Sequence, residues 1–369
     1  MLFFGIAAFF VSCAQTDNTS DGHLQNQGGR NIVIVTLDGV RWQEVFRGAD
    51  AALLFKPAYY SEDSTLLSDR YMAPTAKERR KKLMPFFWET IAKKGKLFGN
   101  RDLGNKFNVA NPYVLSYPGY SEIFTGFPDE DIDSNKYGIN PNTNVLEYLN
   151  DQAGYKNEVL GFCGWVAFDR ILDLERNHME IYTGKALKDA YEQADPTIMG
   201  QVTEQMYSLP FHLFEDSKML GDIKIYALAK TYLAQEHPKI AYIALSKTDH
   251  FAHQRTYDFY LDEIYNSSVI LGDLWQFLQE DEFYKDNTTL IITTDHGRGK
   301  KSWYSHGGNP RASQTWVAVI GPDTEPLGEI DEHRQFYNEQ LAQTIAHFLG
   351  LNFTADHPIA QPIGEMMDK

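Results

Sequence analysis

Three apolar, β-branched runs each deliver an aspartate within a few residues of their ends, and this recurrence constrains the fold more than any other feature of the chain. Asn31–Thr36 runs into Leu37-Asp38-Gly39, Ile240–Leu245 leads through Ser246-Lys247-Thr248 to Asp249, and Leu290–Thr294 is followed at once by Asp295-His296-Gly297. Runs of this kind, apolar at consecutive positions, read as strands buried on both faces, the usual state of strands in a parallel sheet. Open α/β sheets bind their ligands at the carboxyl ends of such strands. The pattern therefore predicts a parallel sheet whose carboxyl edge carries a cluster of acids.

The rest of the chain fits that expectation. Strand-like runs at 31–36, 158–163, 240–245, 290–294 and 315–320 alternate with helical patterns near 83–94, 143–152, 218–236, 258–280 and 337–349. Alternation implies helical crossovers, hence a doubly wound, mostly parallel α/β sheet with helices on both faces. With 369 residues, 43% of them hydrophobic, the chain can bury a large core, and residues 30–369 are expected to form one domain. Aromatic-rich stretches near 47–80 and 164–215 are expected as insertions forming a cap beside the cleft. No internal repeat is visible.

Metal-ligand chemistry extends from the aspartates. His296 adjoins Asp295, and His253 follows Asp249 by four residues, which places both on one face if a helical turn begins there. His306, in Ser302-Trp303-Tyr304-Ser305-His306-Gly307-Gly308, adds a further imidazole. Asp38, Asp249, His253, Asp295, His296 and His306 would supply two divalent ions with three protein ligands each, leaving positions open for water or substrate. Mixed His/Asp donors favour zinc.

A candidate nucleophile makes the resemblance specific. Leu115-Ser116-Tyr117-Pro118-Gly119-Tyr120, followed by Ile123-Phe124-Thr125-Gly126-Phe127-Pro128, together with the ligand motifs and their order, resembles the alkaline phosphatase superfamily, nearest its nucleotide pyrophosphatase/phosphodiesterase and phosphomutase-like branches. The resemblance implies that Ser116 is the nucleophile and that Asn135 holds a phosphoryl oxygen. It also implies the grouping of the ligands: Asp38, Asp295 and His296 at one site beside Ser116, and Asp249, His253 and His306 at the other. The reaction it implies is hydrolysis of small-molecule phosphate mono- or diesters through a phosphoserine. A phosphoglycerate mutase-like phosphotransferase and a non-catalytic ligand-binding lipoprotein on the same scaffold are the competing readings. Sulfatases of the same superfamily convert a Cys or Ser to formylglycine within a signal that has Arg four residues on, where this chain has Tyr120.

Each residue also has an ordinary explanation. Asp38 before Gly39 suits a turn, and Ser116 taken alone is a loop hydroxyl. His250, adjacent to Asp249, points elsewhere on a helix and is left out of the ligand set. Arg298, Lys300 and Lys301 could hold phosphate, but a solvated loop is the preferred reading. Lys77-Glu78-Arg79-Arg80-Lys81-Lys82 reads as an exposed helical turn. A net charge of -16 argues against general nucleic-acid binding.

The amino terminus reads as a targeting segment. Residues 1–13, apolar from Leu2 to Val11 and ending in Ser12-Cys13, resemble a bacterial lipoprotein signal, with Cys13 as the lipidated residue. Residues 14–29 would then be a flexible tether, and the protein would be exported and anchored to a membrane on its periplasmic or cell-surface face. Cys163 is expected in a buried strand without a disulfide partner.

Overall fold

A computed structural model describes residues 30–60, 64–212, 221–299 and 302–367. Cys13, the signal and tether segments, Lys300, Lys301 and small parts of both aromatic stretches lie outside those residues. In chain order the strands are β1 Asn31–Leu37, β2 Lys96–Phe98, β3 Lys106–Asn108, β4 Val159–Cys163, β5 Glu180–Thr183, β6 Ile240–Leu245, β7 Thr288–Thr293, β8 Gln314–Thr315, β9 Val317–Ile320, β10 Gly328–Glu329 and β11 Gln335–Tyr337.

Eight of them make one sheet in the order β10-β2-β9-β7-β1-β6-β4-β5, and β11-β3-β8 make a smaller one. β1, β6 and β7 are buried at every position. In the register, Leu37 pairs with Leu245 and Thr36 with Thr293, so the three strands finish level and their aspartates emerge at one edge. Neighbouring strands lie about 4.8 Å apart, which brings these chain ends within about 10 Å of one another.

Alternate residues of β1 enter two cores. Val33, Val35 and Leu37 pack with Leu228 of the helix Asp222–Glu236 and Leu261 and Ile264 of the helix Tyr257–Glu280. Ile32 and Ile34 pack with Ile123 and Phe124 of the helix Ser116–Thr125, Leu149 of Val145–Asn150 and Ile345 of Leu341–Phe348. The doubly wound, mostly parallel architecture expected from the alternation is the one observed.

Several details differ. β9 runs antiparallel to β7, because the intervening chain forms site loops and not a helical crossover. The run at 315–320 is interrupted at Trp316, whose indole N–H donates to Val40 O at 2.9 Å. The helical pattern near 83–94 is observed from 85 to 94, but it widens to a π-helical section at Phe87–Ile91 before Ala92–Lys94, and Met84, ahead of Pro85, separates it from the helix Ala76–Leu83. Residues of the stretch 164–215 enter the sheet itself as β5. In the stretch 47–80, Tyr59 packs edge-on against Trp303 at 5.5 Å between ring centroids. The helix Ala76–Leu83 contains the expected basic turn, but Arg80 is half-buried, bonded to Glu329 at 2.9 Å and lying 3.3 Å over the Trp88 ring. Cys163 is buried in β4 and free.

Just beyond β1 a buried ion pair fixes the path of the chain. Arg41 and Glu44 are both shielded from solvent, paired through two N–H···O contacts, and the Tyr257 hydroxyl donates to Glu44 at 2.7 Å. Removing one partner strands a buried charge, so Glu44→Ala should lower stability by about 3–5 kcal/mol in urea unfolding. The double change Arg41→Met with Glu44→Leu should recover most of that loss.

Candidate metal centre

The carboxyl edge of β1, β6 and β7 gathers the predicted ligands. Asp38 follows β1 directly, with its backbone N–H donating to Leu245 O at 3.0 Å. Asp295 and His296 follow β7 and are wholly buried. After β6 the chain turns into the helix Lys247–Gln254, so Asp249 and His253 do share a helical face. His250 stands outside both groups and accepts from Gln254 Nε2 at 2.8 Å.

Two groups of potential ligand atoms converge: Asp38, Asp295 and His296, and Asp249, His296 and His306. His296 Nε2 lies 3.4 Å from Asp295 Oδ2 and 3.7 Å from Asp38 Oδ1. Those two carboxylate oxygens are buried without a hydrogen-bond partner, an expensive condition unless a cation or proton meets them. In the second group, His306 Nε2 is 3.8 Å from Asp249 Oδ1. His253 Nε2 is 3.0 Å from His306 Nε2 and 3.4 Å from Asp249 Oδ2, on a side chain about half exposed at 49%. The rings of His296 and His306 stack at 3.8 Å between centroids, which makes the groups neighbours.

Backbone carbonyls set the tautomers. His296 Nδ1 lies 3.0 Å from Gly297 O, and His306 Nδ1 lies 3.0 Å from Val114 O. A ring N–H donated to each carbonyl leaves both Nε2 lone pairs facing the clusters, the arrangement a metal-binding imidazole needs. Burial keeps both rings neutral, driving His296 well below the usual histidine range and His306 down to about 4. Burial and the charges of Asp295 and Asp249 push the Asp38 carboxyl well above the usual range, and burial pushes Asp295 up to about 8. Burial opposes ionisation of Asp249 too, yet the Arg298 guanidinium and the contact with His253 hold it far below the others. Neutral imidazoles with converging, unpartnered carboxylate oxygens suit divalent cations.

Ser116 opens the helix Ser116–Thr125, which is buried along its whole length. Pro118 is tolerated there because first-turn N–H groups have no intrahelical partner. Ser116 Oγ lies 3.2 Å from His296 Nε2. Gly119 is required by contact: a Cβ there would stand 2.6 Å from Asp295 O, so only a glycine lets this helix reach the end of β7. The Tyr120 hydroxyl donates to Asp38 Oδ2 at 3.1 Å, binding the helix to the first cluster. Asn135 Oδ1 accepts from Tyr117 N–H at 2.9 Å, which orients its amide and leaves the NH2 end as a donor beside the start of the helix. Val114, just before the helix, is a β-branched residue held at φ 54, a strained conformation; Asn111 Oδ1 fixes it by accepting its N–H at 3.1 Å.

Arg298 corrects the solvated-loop reading. It is 1% exposed, its Nε donates to Gly39 O at 2.9 Å, and an Nη2 N–H donates to Asp249 Oδ1. The sequence places an arginine after Asp-His-Gly, but its burial depends on Gly39 and Asp249, which lie far away in the chain. Tyr120, Thr248, whose hydroxyl donates to Asp38 O at 2.5 Å, and the Val114 strap were equally invisible as site residues.

No family model and no curated protein matches the sequence. Solved structures do match in fold. The alkaline phosphatase PafA superposes with a TM-score of 0.58 at 11% identity, over 93% of this chain and 100% of that one. The phosphonate monoester hydrolase of Agrobacterium radiobacter gives 0.58 at 12% identity, covering 92% and 77%. A 2-O GAG sulfatase gives 0.53 at 14% identity, covering 89% and 72%. The chain thus has the alkaline phosphatase-like fold.

Gly119→Ala tests the close approach of the Ser116 helix. Forcing that helix off Asp295 should cost about 1–3 kcal/mol in urea unfolding, whereas Gly138→Ala, where a Cβ meets nothing within 4 Å, should stay within about 0.5 kcal/mol of the parent.

Proposed function

We propose that this protein is a metal-dependent phosphoric ester hydrolase of the alkaline phosphatase superfamily, acting on small-molecule phosphate mono- or diesters through a phosphoserine at Ser116. The observation that carries the reading is the position of Ser116 Oγ, 3.2 Å from His296 Nε2 and at the start of a buried helix, directly beside two converging ligand groups.

Asp38, Asp295 and His296 would hold one divalent ion, and Asp249 and His306, with His253, the other; zinc suits this donor set. Ions bound there would offset charge on the phosphoryl oxygens and favour the ionised form of the serine hydroxyl. The chain's own groups supply position. The buried helix aims Ser116 at the cleft, and the positive end of its dipole favours an anion there. The Asn135 amide is oriented to donate to a phosphoryl oxygen. Attack of Ser116 Oγ on phosphorus would break the bond to the leaving alcohol, which departs with the serine proton, and leave the phosphoryl group on the serine; water then frees phosphate from a monoester or the remaining phosphate monoester from a diester.

Phosphate is preferred to sulfate in this reading because of Tyr120. It occupies the place of the arginine that marks a serine for conversion to formylglycine, and its hydroxyl is bonded to Asp38, so Ser116 is expected to stay a serine. Export and anchoring through Cys13 belong to the same proposal, supported by residues 1–13 of the sequence. Among the described residues no helix is long and apolar enough to cross a membrane.

Ser116→Ala should abolish turnover while leaving bound metal nearly unchanged, and acid-quenched parent enzyme should carry a phosphoryl group on the peptide containing Leu115-Ser116-Tyr117. Phosphate esters should be favoured over matched sulfate esters by at least ~100-fold, about 2.7 kcal/mol at the transition state. Normal turnover by Ser116→Ala, or formylglycine at position 116, would overturn the reading. Mass spectrometry of membrane fractions should find a diacylglyceryl group on Cys13; a soluble chain with an unmodified or absent Cys13 would remove the anchor.

A further inference from the structure

Arg298 is built into the centre as a permanent cation. Its Nε and Nη2 hold Gly39 O and Asp249, while Nη1 is buried without a hydrogen-bond partner. The turn after Asp38 is shaped to admit it. Gly39 has φ +63, and a Cβ there would lie 2.5 Å from Arg298 Nη2. The same glycine's N–H donates to Asp295 Oδ1 at 3.1 Å, so one residue braces the carboxylate of one ligand group and the arginine of the other. A guanidinium does not lose its proton in a protein, so this charge is fixed.

The consequence follows from counting charges. Asp38 and Asp295 bring two carboxylates to the first group, matching one divalent ion. Asp249 is the sole carboxylate of the second, whether His296 or His253 completes it beside His306, and Arg298 already pairs with it. A divalent ion entering the second group therefore adds two positive charges that no neighbouring buried anion balances, an unfavourable change in a poorly solvated site. An anion in the cleft would supply the missing charge.

We propose that Arg298 makes the two ion sites unequal, so that the Asp38/Asp295/His296 site fills first and the Asp249/His306 site holds its ion firmly only together with a phosphoryl anion. The inference rests on the two-ion reading above and adds to it a coupling between second ion and anion. Linkage requires the coupling to be mutual: each raises the affinity of the other by the same factor.

The test is zinc binding to the chelator-stripped full chain at buffered free zinc, with and without inorganic phosphate, for the parent, Arg298→Met and Arg298→Lys. In the parent the first zinc should bind at least ~10-fold more tightly than the second, and phosphate should tighten the second by ~10-fold or more while leaving the first nearly unchanged. Arg298→Met should take up the second zinc tightly without phosphate, and Arg298→Lys should keep the parent's pattern. Two equal zinc sites indifferent to phosphate in the parent would overturn the inference even if neither variant folds. Loss of the second zinc in both variants would also overturn it, since orientation of Asp249 and not charge would then be at work. A parent that takes up no zinc, manganese or cobalt would instead refute the two-ion reading itself.

Discussion

Mutual repulsion among three sheltered carboxylates is the constraint around which the rest of this structure is arranged. Asp38, Asp249 and Asp295 meet where three parallel strands end level; Asp295 and Asp249 raise the cost of ionising Asp38, and Asp249 raises that of Asp295. Shielding such charges without compensation would cost several kcal/mol apiece. The compensation present within the chain is partial: one guanidinium, one tyrosine hydroxyl and a few backbone N–H groups. Two carboxylate oxygens remain without any hydrogen-bond partner, and they face the same imidazole nitrogen. A centre of this composition suits divalent cations.

Rigidity in the surroundings holds the repelling groups in place. The helix beginning at Ser116 is held from both ends. Near its start, Tyr120 reaches Asp38 and Gly119 lies against the backbone of Asp295. Further along, Glu122 accepts N–H groups of Ala110, Asn111 and Glu339 at 2.8, 2.9 and 3.1 Å. Burial pushes this carboxyl up to about 7, and the Ala110 and Asn111 donors act against the shift. Through Asn111 the same network fixes Val114, whose carbonyl accepts from His306. A candidate nucleophile and a candidate ligand on distant segments are therefore braced by one chain of hydrogen bonds, and the strain at Val114 is stored where both depend on it.

The fold alone does not select the ester. Phosphatases, phosphonate hydrolases and sulfatases have this architecture, and the chemistry of each is set at a few positions along the strand edge. In this chain two such positions stand out. Tyr120 ties the start of the Ser116 helix to the first candidate ligand group, and Arg298 brings a fixed positive charge to the second. Both contact carboxylates of the candidate ligand groups, Asp38 and Asp249, and not the solvent side of the cleft.

Within the sequence, the fold class was legible because burial on both faces leaves unbroken β-branched runs, as at Asn31–Thr36, Ile240–Leu245 and Leu290–Thr294, and because helical periodicity separates them. The convergence of the candidate ligand residues was legible for a related reason: acids and imidazoles after such runs emerge at one sheet edge. Short strands such as β2, β5 and β10 left no comparable pattern, since two to four residues containing Lys96, Glu180 or Glu329 do not establish a period. Nor did the helix at Ser116 announce itself, with Pro118 and Gly119 in its first turn arguing locally against it; contact with β7 outweighs that preference. Arg298 is the clearest case. Charge and loop context favour solvent, and only the tertiary approach of Gly39 O and Asp249 turns it inward, because the burial of a charge is decided by partners that the local sequence does not contain.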